Sequence, residues 1–308
     1  MNNTIVKKHN DLIQKARYSL SELEIKIVSN LISIIRTDDT EFQEYHIDIN
    51  KLQKLTNTKS NDTEYYINIA KSLMSKPFVI DNKVFNWVTS VEYIIGTGVL
   101  IFEIHRNLRP LLLELKKNFT QYSISDIMQL KSGYVIRLYE LIIAEYNQYM
   151  QYNKKAKSYT FELDIQDIIE LFEIPKSYSY KDIRVNIIDK AQKQFKEKTN
   201  IQFSYEEYKL GRKVVRLKIT VKNNLKGSND PMSDLKSFIQ WIRKDFKNVD
   251  LFHVTGKQCI SCNDDGKLYD KYQKETIDNK RSQEIWTKLY ELAKEDKLIA
   301  LKQLKMNL

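Results

Sequence analysis

Histidines, cysteines, tyrosines and glycine–lysine pairs are the residues here that could carry covalent chemistry or hold a metal. A nicking site would need paired histidines for its metal and a tyrosine nucleophile beside them. His9, His46, His105 and His253 stand alone, with no two a helical turn or a strand step apart. Among 19 tyrosines, one near a lysine carries no signal. An ATP motor would need Gly-x-x-x-x-Gly-Lys followed by Ser or Thr, because that loop cradles phosphates and its hydroxyl binds magnesium. The Gly-Lys pairs at Gly256 and Gly266 run into Gln258 and Leu268 instead. Cys259-Ile-Ser-Cys262 is two ligands short of a zinc site, with only His253, Asp264 and Asp265 nearby. A redox pair would sit at a strand-to-helix turn, whereas this pair falls in a predicted hairpin. The expectation is no catalytic residue, no metal and no cofactor.

The chemistry that remains is binding through charge. The chain carries a net +10, unevenly spread. Residues 1–115 hold 14 basic and 14 acidic side chains, and residues 116–175 hold 7 and 8. Residues 176–222 hold 13 and 5, a local +8, and residues 223–308 hold 16 and 13. Codon bias would enrich lysine evenly and would leave arginine alone. A local excess of this kind points to a polyanion, with nucleic acid the first candidate. Its core is YKLGRKVVRLK, where Lys209, Arg212, Lys213, Arg216 and Lys218 crowd a predicted turn at Gly211.

Those cations need elements to hold them. Helical spacing runs through Ser19–Arg36 after a Ser19 cap, through Asn50–Leu55, and through Asp62–Met74, which Pro77 ends. Tyr45–Ile49 alternates as a strand, and Lys83–Tyr93 with Val99–His105 reads as a strand pair joined at Gly96-Thr97-Gly98. The order then recurs. Ile124–Leu130 and Tyr134–Tyr149 are helical, Tyr159–Leu163 is a strand, and Asp164 caps a short helix to Leu171. A long helix over Ser179–Lys198 leads into a hairpin of Ile201–Tyr205 and Val214–Val221. Ile47-Asp48-Ile49 with Leu52 and Leu55 is echoed by Leu163-Asp164-Ile165 with Ile168 and Leu171. A period of roughly 115 residues is too long for a solenoid and reads as two copies of one domain.

Helix, strand, helix, turn, longer helix and hairpin is the order of a winged helix, whose second turn helix enters the major groove while the hairpin lies on the backbone. The expected class is α+β, with two tandem winged-helix domains and a small C-terminal α/β extension. The divisions are 1–117, 118–225 and 226–308. Gly227-Ser228-Asn229-Asp230-Pro231 is the linker to the third unit. That unit is expected to hold a helix over Leu235–Phe246, a hairpin over Phe252–Tyr269 and a final helix from about Ser282.

On a wheel of the Ser179–Lys198 helix, Ile183, Ile187, Ile188, Ala191 and Phe195 share the core arc. Asp182, Asn186, Asp189, Lys193 and Lys196 face away. Arg184 falls inside the apolar arc, from which a long side chain must snorkel to reach a groove. Tyr178, Tyr180, Tyr205 and Tyr208 have faces that stack on single-stranded bases, although packing accounts for most tyrosines. No run of 18 apolar residues appears, the N-terminus has no secretory signal, and two cysteines suit a reducing compartment. The expected location is cytoplasmic.

Three blocks carry a resemblance: VKKHNDLIQKARYSLSELEIKIVSNLIS at Val6–Ser33, FTQYSISDIMQLKSGYVIRLYELI at Phe119–Ile142, and SYSYKDIRVNIIDKAQKQF continuing through EEYKLGRKVVRLKI. The chain from Val6 to about Val221 resembles the replication initiator proteins of iteron-containing, theta-replicating plasmids. The resemblance implies two winged-helix domains that bind direct repeats in double-stranded origin DNA and melt an adjacent AT-rich tract. It also implies partners: the host initiator, the replicative helicase, and a second copy of the chain. A dimer would repress the initiator's own gene from an operator inverted repeat. The first domain would carry the dimer contact and touch DNA more lightly, as the zero net charge of residues 1–115 suits, and the second would be the main reader.

By position, the family's base-reading cluster falls on Arg184, Val185 and Asn186, with Val185 a departure from its more basic pattern. The wing run falls on Lys209, Arg212 and Lys213. The expected DNA-binding residues are therefore Tyr178, Ser179, Lys181, Arg184 and Asn186 on the helix, with Lys209, Arg212 and Lys213 on the wing. The rivals are a stand-alone winged-helix transcriptional repressor and a rolling-circle nicking endonuclease.

Overall fold

The structure, a computed structural model, describes residues 5–36, 39–56, 63–153, 155–224, 238–240, 242–243, 250–254, 258–263, 265, 267–271 and 273–294. The chain divides into two compact units between Gly227 and Ser228. Each unit is described on its own.

The first unit contains the expected repeat. In the first copy, helix α2 (Glu22–Ser33), strand β2 (Glu44–Asp48), helix α3 (Ile49–Thr56) and helix α4 (Thr63–Met74) precede the hairpin β5 (Val88–Ile94) and β6 (Val99–Ile104). In the second, helix α7 (Gly133–Tyr152), strand β8 (Ser158–Asp164) and helix α8 (Ile165–Leu171) come first. A long helix follows over Tyr180–Lys198, and the hairpin β9 (Ile201–Leu210) and β10 (Lys213–Asn223) closes it. Each copy folds its three strands antiparallel in the same order: β2–β6–β5 in the first, β8–β10–β9 in the second. In both, the strand after the first helix pairs with the last strand of the hairpin. Two winged helices in an α+β chain are what the sequence predicts.

Several elements differ from expectation for identifiable reasons. Helix α2 is capped by Ser21, whose hydroxyl accepts from the Glu24 N–H while the Glu24 carboxylate accepts from the Ser21 N–H. The sequence offers the same Ser-x-x-Glu box from Ser19 to Glu22. The later register leaves Leu20 outside the helix, its carbonyl oxygen 2.1 Å from where a Cβ on Gly133 would stand. Only glycine permits so close an approach at the start of α7. Asp164 precedes α8 but makes no side-chain cap bond, because Arg216 of β10 holds its carboxylate. The expected strand Lys83–Tyr93 is two strands: β4 (Lys83–Phe85) pairs with β3 (Phe78–Ile80), and β5 belongs to the winged sheet. The break comes at Trp87, which turns inward beside Phe78, their rings 4.3 Å apart.

One pairing has no counterpart in the sequence reading. Strand β1 (Ile5–His9) runs antiparallel to β7 (Phe119–Ser123), from Ile5 opposite Ser123 to His9 opposite Phe119. Along β1, Val6 and Lys8 are fully buried. Lys8 meets Glu140 of α7 there, and Arg137 of α7 donates to the Ile13 and Ala16 carbonyls and lies 3.8 Å over the Tyr18 ring. Residues on both sides of the 117/118 division thus share one core.

In the second unit the described strands form an antiparallel meander of β11 (Asp250–Val254), β12 (Gln258–Cys262), β13 (Leu268–Asp270) and β14 (Glu275–Thr276). It replaces the simple hairpin expected over Phe252–Tyr269. Helix α11 (Asn279–Lys294) begins three residues before Ser282. The linker at Gly227–Pro231 and most of the helix expected over Leu235–Phe246 lie outside the described residues.

Candidate nucleic-acid interface

The Tyr180–Lys198 helix starts with a second capping box. The Ser179 hydroxyl accepts from the Asp182 N–H at 3.3 Å, and the Asp182 carboxylate accepts from the Ser179 N–H at 2.8 Å. The Ser179 hydroxyl also comes within 2.6 Å of that carboxylate, and donation from it, followed by the bond from the Ser179 N–H, holds the Asp182 carboxyl below its ordinary range. Ahead of the cap, the Tyr178 N–H donates to the Pro175 carbonyl, which turns the chain into the helix and leaves Tyr178 exposed. Ile183, Ile187, Ile188, Ala191 and Phe195 are buried, matching the predicted core arc.

The helix is not uniform. Tyr180–Ile183 is α-helical, Arg184–Asp189 is a π-helical turn, and Lys190–Lys198 is α-helical again. A π turn is wider than an α turn and pairs residues five apart instead of four, so it advances fewer degrees per residue. Ile187 and Ile188 therefore rotate back towards Ile183, and Arg184 is left at the margin of the apolar face. Its side chain is 45% exposed, not packed inside the arc where an ideal wheel puts it. Val185 and Asn186 follow it on the surface, so three consecutive residues of the turn face solvent.

The wing turns tightly at Gly211, whose φ of +61° suits glycine. Lys209, Arg212 and Lys213 are all exposed at its tip, with Tyr208 and Leu210 beside them. Of the five cations in YKLGRKVVRLK, two point elsewhere. Arg216 is held by Asp164 and Glu162 of β8, and Lys218 lies 3.7 Å from Glu206. Lys209 lies 3.8 Å from Glu207. Arg212 and Lys213 have no carboxylate in ion-pair range among the described residues.

Helix and wing meet through Glu207. Its Oε1 accepts from the Tyr180 hydroxyl at 2.7 Å and lies 3.7 Å from an Arg184 terminal nitrogen. Asp189 lies 3.8 Å from the Arg184 Nε and accepts from the Tyr205 hydroxyl at 2.5 Å. Burial, and then the adjoining carboxylate, pushes both tyrosine hydroxyls up. Tyr180 and Tyr205 are thus half-buried positioning groups, while Tyr178 and Tyr208 stay exposed. Sequence reading did not single out Glu207 at all. It set Asp189 on the outer helix face without a role, and the only available signal was an acidic residue inside a basic run.

All eight expected DNA-binding residues lie on this one half of the unit. Tyr178, Ser179, Lys181, Arg184 and Asn186 line the start of the Tyr180–Lys198 helix, and Lys209, Arg212 and Lys213 the wing tip. The first copy is chemically different. Its wing, β5 with β6, contains no lysine or arginine, and Ile95 at its tip is 89% exposed. Among the described residues no group of three or more His, Cys, Asp or Glu could hold a metal. No described helix is long and apolar enough to cross a membrane. Cys262 is buried, while the side chains of Cys259 and His253 lie outside the described residues.

Residues 5–143 match the family model described as Initiator Replication protein, WH1, and residues 164–221 match that described as Initiator Rep protein, WH2. Among solved structures, the chain is similar in fold to the Pi initiator protein, crystallised in complex with iteron DNA. The TM-score is 0.51 at 17% sequence identity, covering 72% of this chain and 98% of that one.

Proposed function

The chain belongs to the family of initiator replication proteins, and we propose that it starts plasmid replication by binding direct repeats in double-stranded origin DNA. The observation that carries this reading is the junction just described, where three exposed residues of a reader helix sit beside a cation-tipped wing. The solved complex of a similar fold with iteron DNA supports it. The reader helix enters the major groove. Arg184 has the fork to take the two acceptors of guanine, Asn186 suits adenine, and Val185 offers an apolar contact to a thymine methyl. Tyr178, Ser179 and Lys181, at the helix start, face phosphates, where free N–H groups and positive charge collect. Lys209, Arg212 and Lys213 bind backbone only.

The work divides along the chain. Residues 118–225 read the repeats. Residues 1–117 carry the contact between two copies and touch DNA more lightly, in keeping with a wing that lacks cations. Residues 226–308 form an extension outside the reader. Monomers bound to the origin recruit the host initiator and the replicative helicase, and a dimer on an operator inverted repeat represses the gene. The protein works in the cytoplasm and uses no catalytic residue, cofactor or metal. Strand opening comes from binding and bending, without a nick or ATP hydrolysis.

The test is origin-dependent replication of a reporter plasmid, run beside binding to a repeat-bearing duplex and to a random duplex. Preference for the repeats together with replication supports the proposal. Binding to an inverted repeat without replication would leave a stand-alone repressor. Metal-dependent relaxation of supercoiled origin DNA by the pure protein would mean a nicking endonuclease.

A further inference from the structure

Arg184 is the arginine best placed to read a base, yet two carboxylates approach it, one at its Nε and one at a terminal nitrogen. Neither is loosely held. Tyr205 fixes Asp189 at 2.5 Å and Tyr180 fixes Glu207 at 2.7 Å, through rings anchored in the half-buried layer between helix and wing. Asp189 comes from the same helix, five residues on. In a regular α-helix residues five apart point in different directions; the π turn brings them to one side. The distances from Arg184 to the carboxylates, 3.8 and 3.7 Å, lie beyond hydrogen-bond range. The arginine is therefore steered by charge without being locked, and it can leave.

Leaving has a cost that depends on what Arg184 meets. If it swings to a single phosphate, two carboxylates stay behind, uncompensated, facing a polyanion. If it meets the two acceptors of a guanine edge, it gains paired charge-assisted bonds to a neutral partner, and no further negative charge is brought beside the two carboxylates. We infer that Glu207 and Asp189 form a carboxylate clamp on Arg184 that suppresses its engagement with non-cognate DNA, making both acids specificity-determining residues. The inference rests on the reading above that this face binds DNA.

The experiment measures the affinity of the full chain for a random-sequence duplex in four forms: unmodified, Glu207→Gln, Arg184→Ala, and the two combined. Glutamine keeps an oxygen to accept from Tyr180 and removes only the charge. Glu207→Gln should tighten random-duplex binding about three- to tenfold when Arg184 is present, and less than about twofold in the Arg184→Ala background. The smaller factor is what freeing Lys209 alone supplies. Asp189→Asn should show the same dependence on Arg184, and it carries the test if Glu207→Gln does not fold. Equal factors in both backgrounds, or no tightening, overturn the clamp, because the acids would then act only through bulk charge. The measurement uses random DNA, so its outcome is independent of whether the protein prefers repeats. Loss of that preference in the unmodified chain would count against the proposed function instead.

Discussion

Lys8 and Glu140 meet at 2.6 Å with both side chains fully buried, 132 residues apart in sequence. The pair fastens the first strand of the chain to the first helix of the second winged domain. Glu140 also accepts from the Tyr122 hydroxyl and lies 3.4 Å from Arg137, which in turn donates to the Tyr18 hydroxyl at 2.6 Å. Strands β1 and β7, the Tyr18 segment and α7 are all members of this one network.

Removing one partner from a buried pair leaves a charge with neither water nor counter-charge. Lys8→Met should therefore lower stability by about 3–5 kcal/mol, read as a fall in melting temperature. A loss under about 1 kcal/mol would show that water reaches Glu140.

The same network makes the fold sensitive to acid. Burial pushes the Glu140 carboxyl up, but Lys8, Arg137 and Tyr122 outweigh it and hold the group below the ordinary 4.5. A carboxyl lowered on folding contributes stability that is fully present above its unfolded value and is lost as pH falls through the folded value. Melting temperature should drop below about pH 4.5. In Glu140→Gln that acid limb should be flatter, from a lower starting stability.

Gly133→Ala tests the seam between α2 and α7. The new methyl would sit 2.1 Å from the Leu20 carbonyl oxygen, a backbone atom that cannot swing away. Overpacking of this kind should cost about 1–3 kcal/mol, and an unchanged melting temperature would mean that the two elements separate easily.

Arg184→Ala and neutralisation of the wing should affect binding differently. Arg184→Ala should weaken specific binding by about 1–3 kcal/mol, cost much less on random DNA, and leave the melting temperature nearly unchanged because the side chain is exposed. Changing Lys209, Arg212 and Lys213 to Gln should weaken specific and random binding alike. Each lost phosphate contact should flatten the dependence of log K on log salt by about one unit. A destabilised Arg184→Ala protein with an unchanged ratio of specific to random affinity would remove Arg184 from the readers.

Ending the chain at Gly227, where the two compact units divide, should leave the first unit folded with its preference for repeats. Affinity should fall modestly with the net +2 of residues 228–308. A truncated protein that stays folded yet loses all preference would make the C-terminal unit part of the reader.

Much of the fold was legible because it depends on local pattern. The apolar spacing of Ile183, Ile187, Ile188, Ala191 and Phe195 identified the buried side of the reader helix. The repeated order of elements identified two winged helices, and the cations around Gly211 identified the wing tip. Three things were decided only in three dimensions. The pairing of β1 with β7 joins segments more than a hundred residues apart, and Lys8 interrupts the apolar alternation that would mark β1, so neither strand announces itself. The exposure of Arg184 follows from a π turn, and a wheel that assumes a constant angle per residue cannot represent one. The clamp joins Arg184 and Asp189 to Glu207 across the gap between helix and wing. Period and propensity are properties of neighbours along the chain. Whether a lysine finds its carboxylate, or an arginine is held between two of them, depends on distances that exist only after the core has closed.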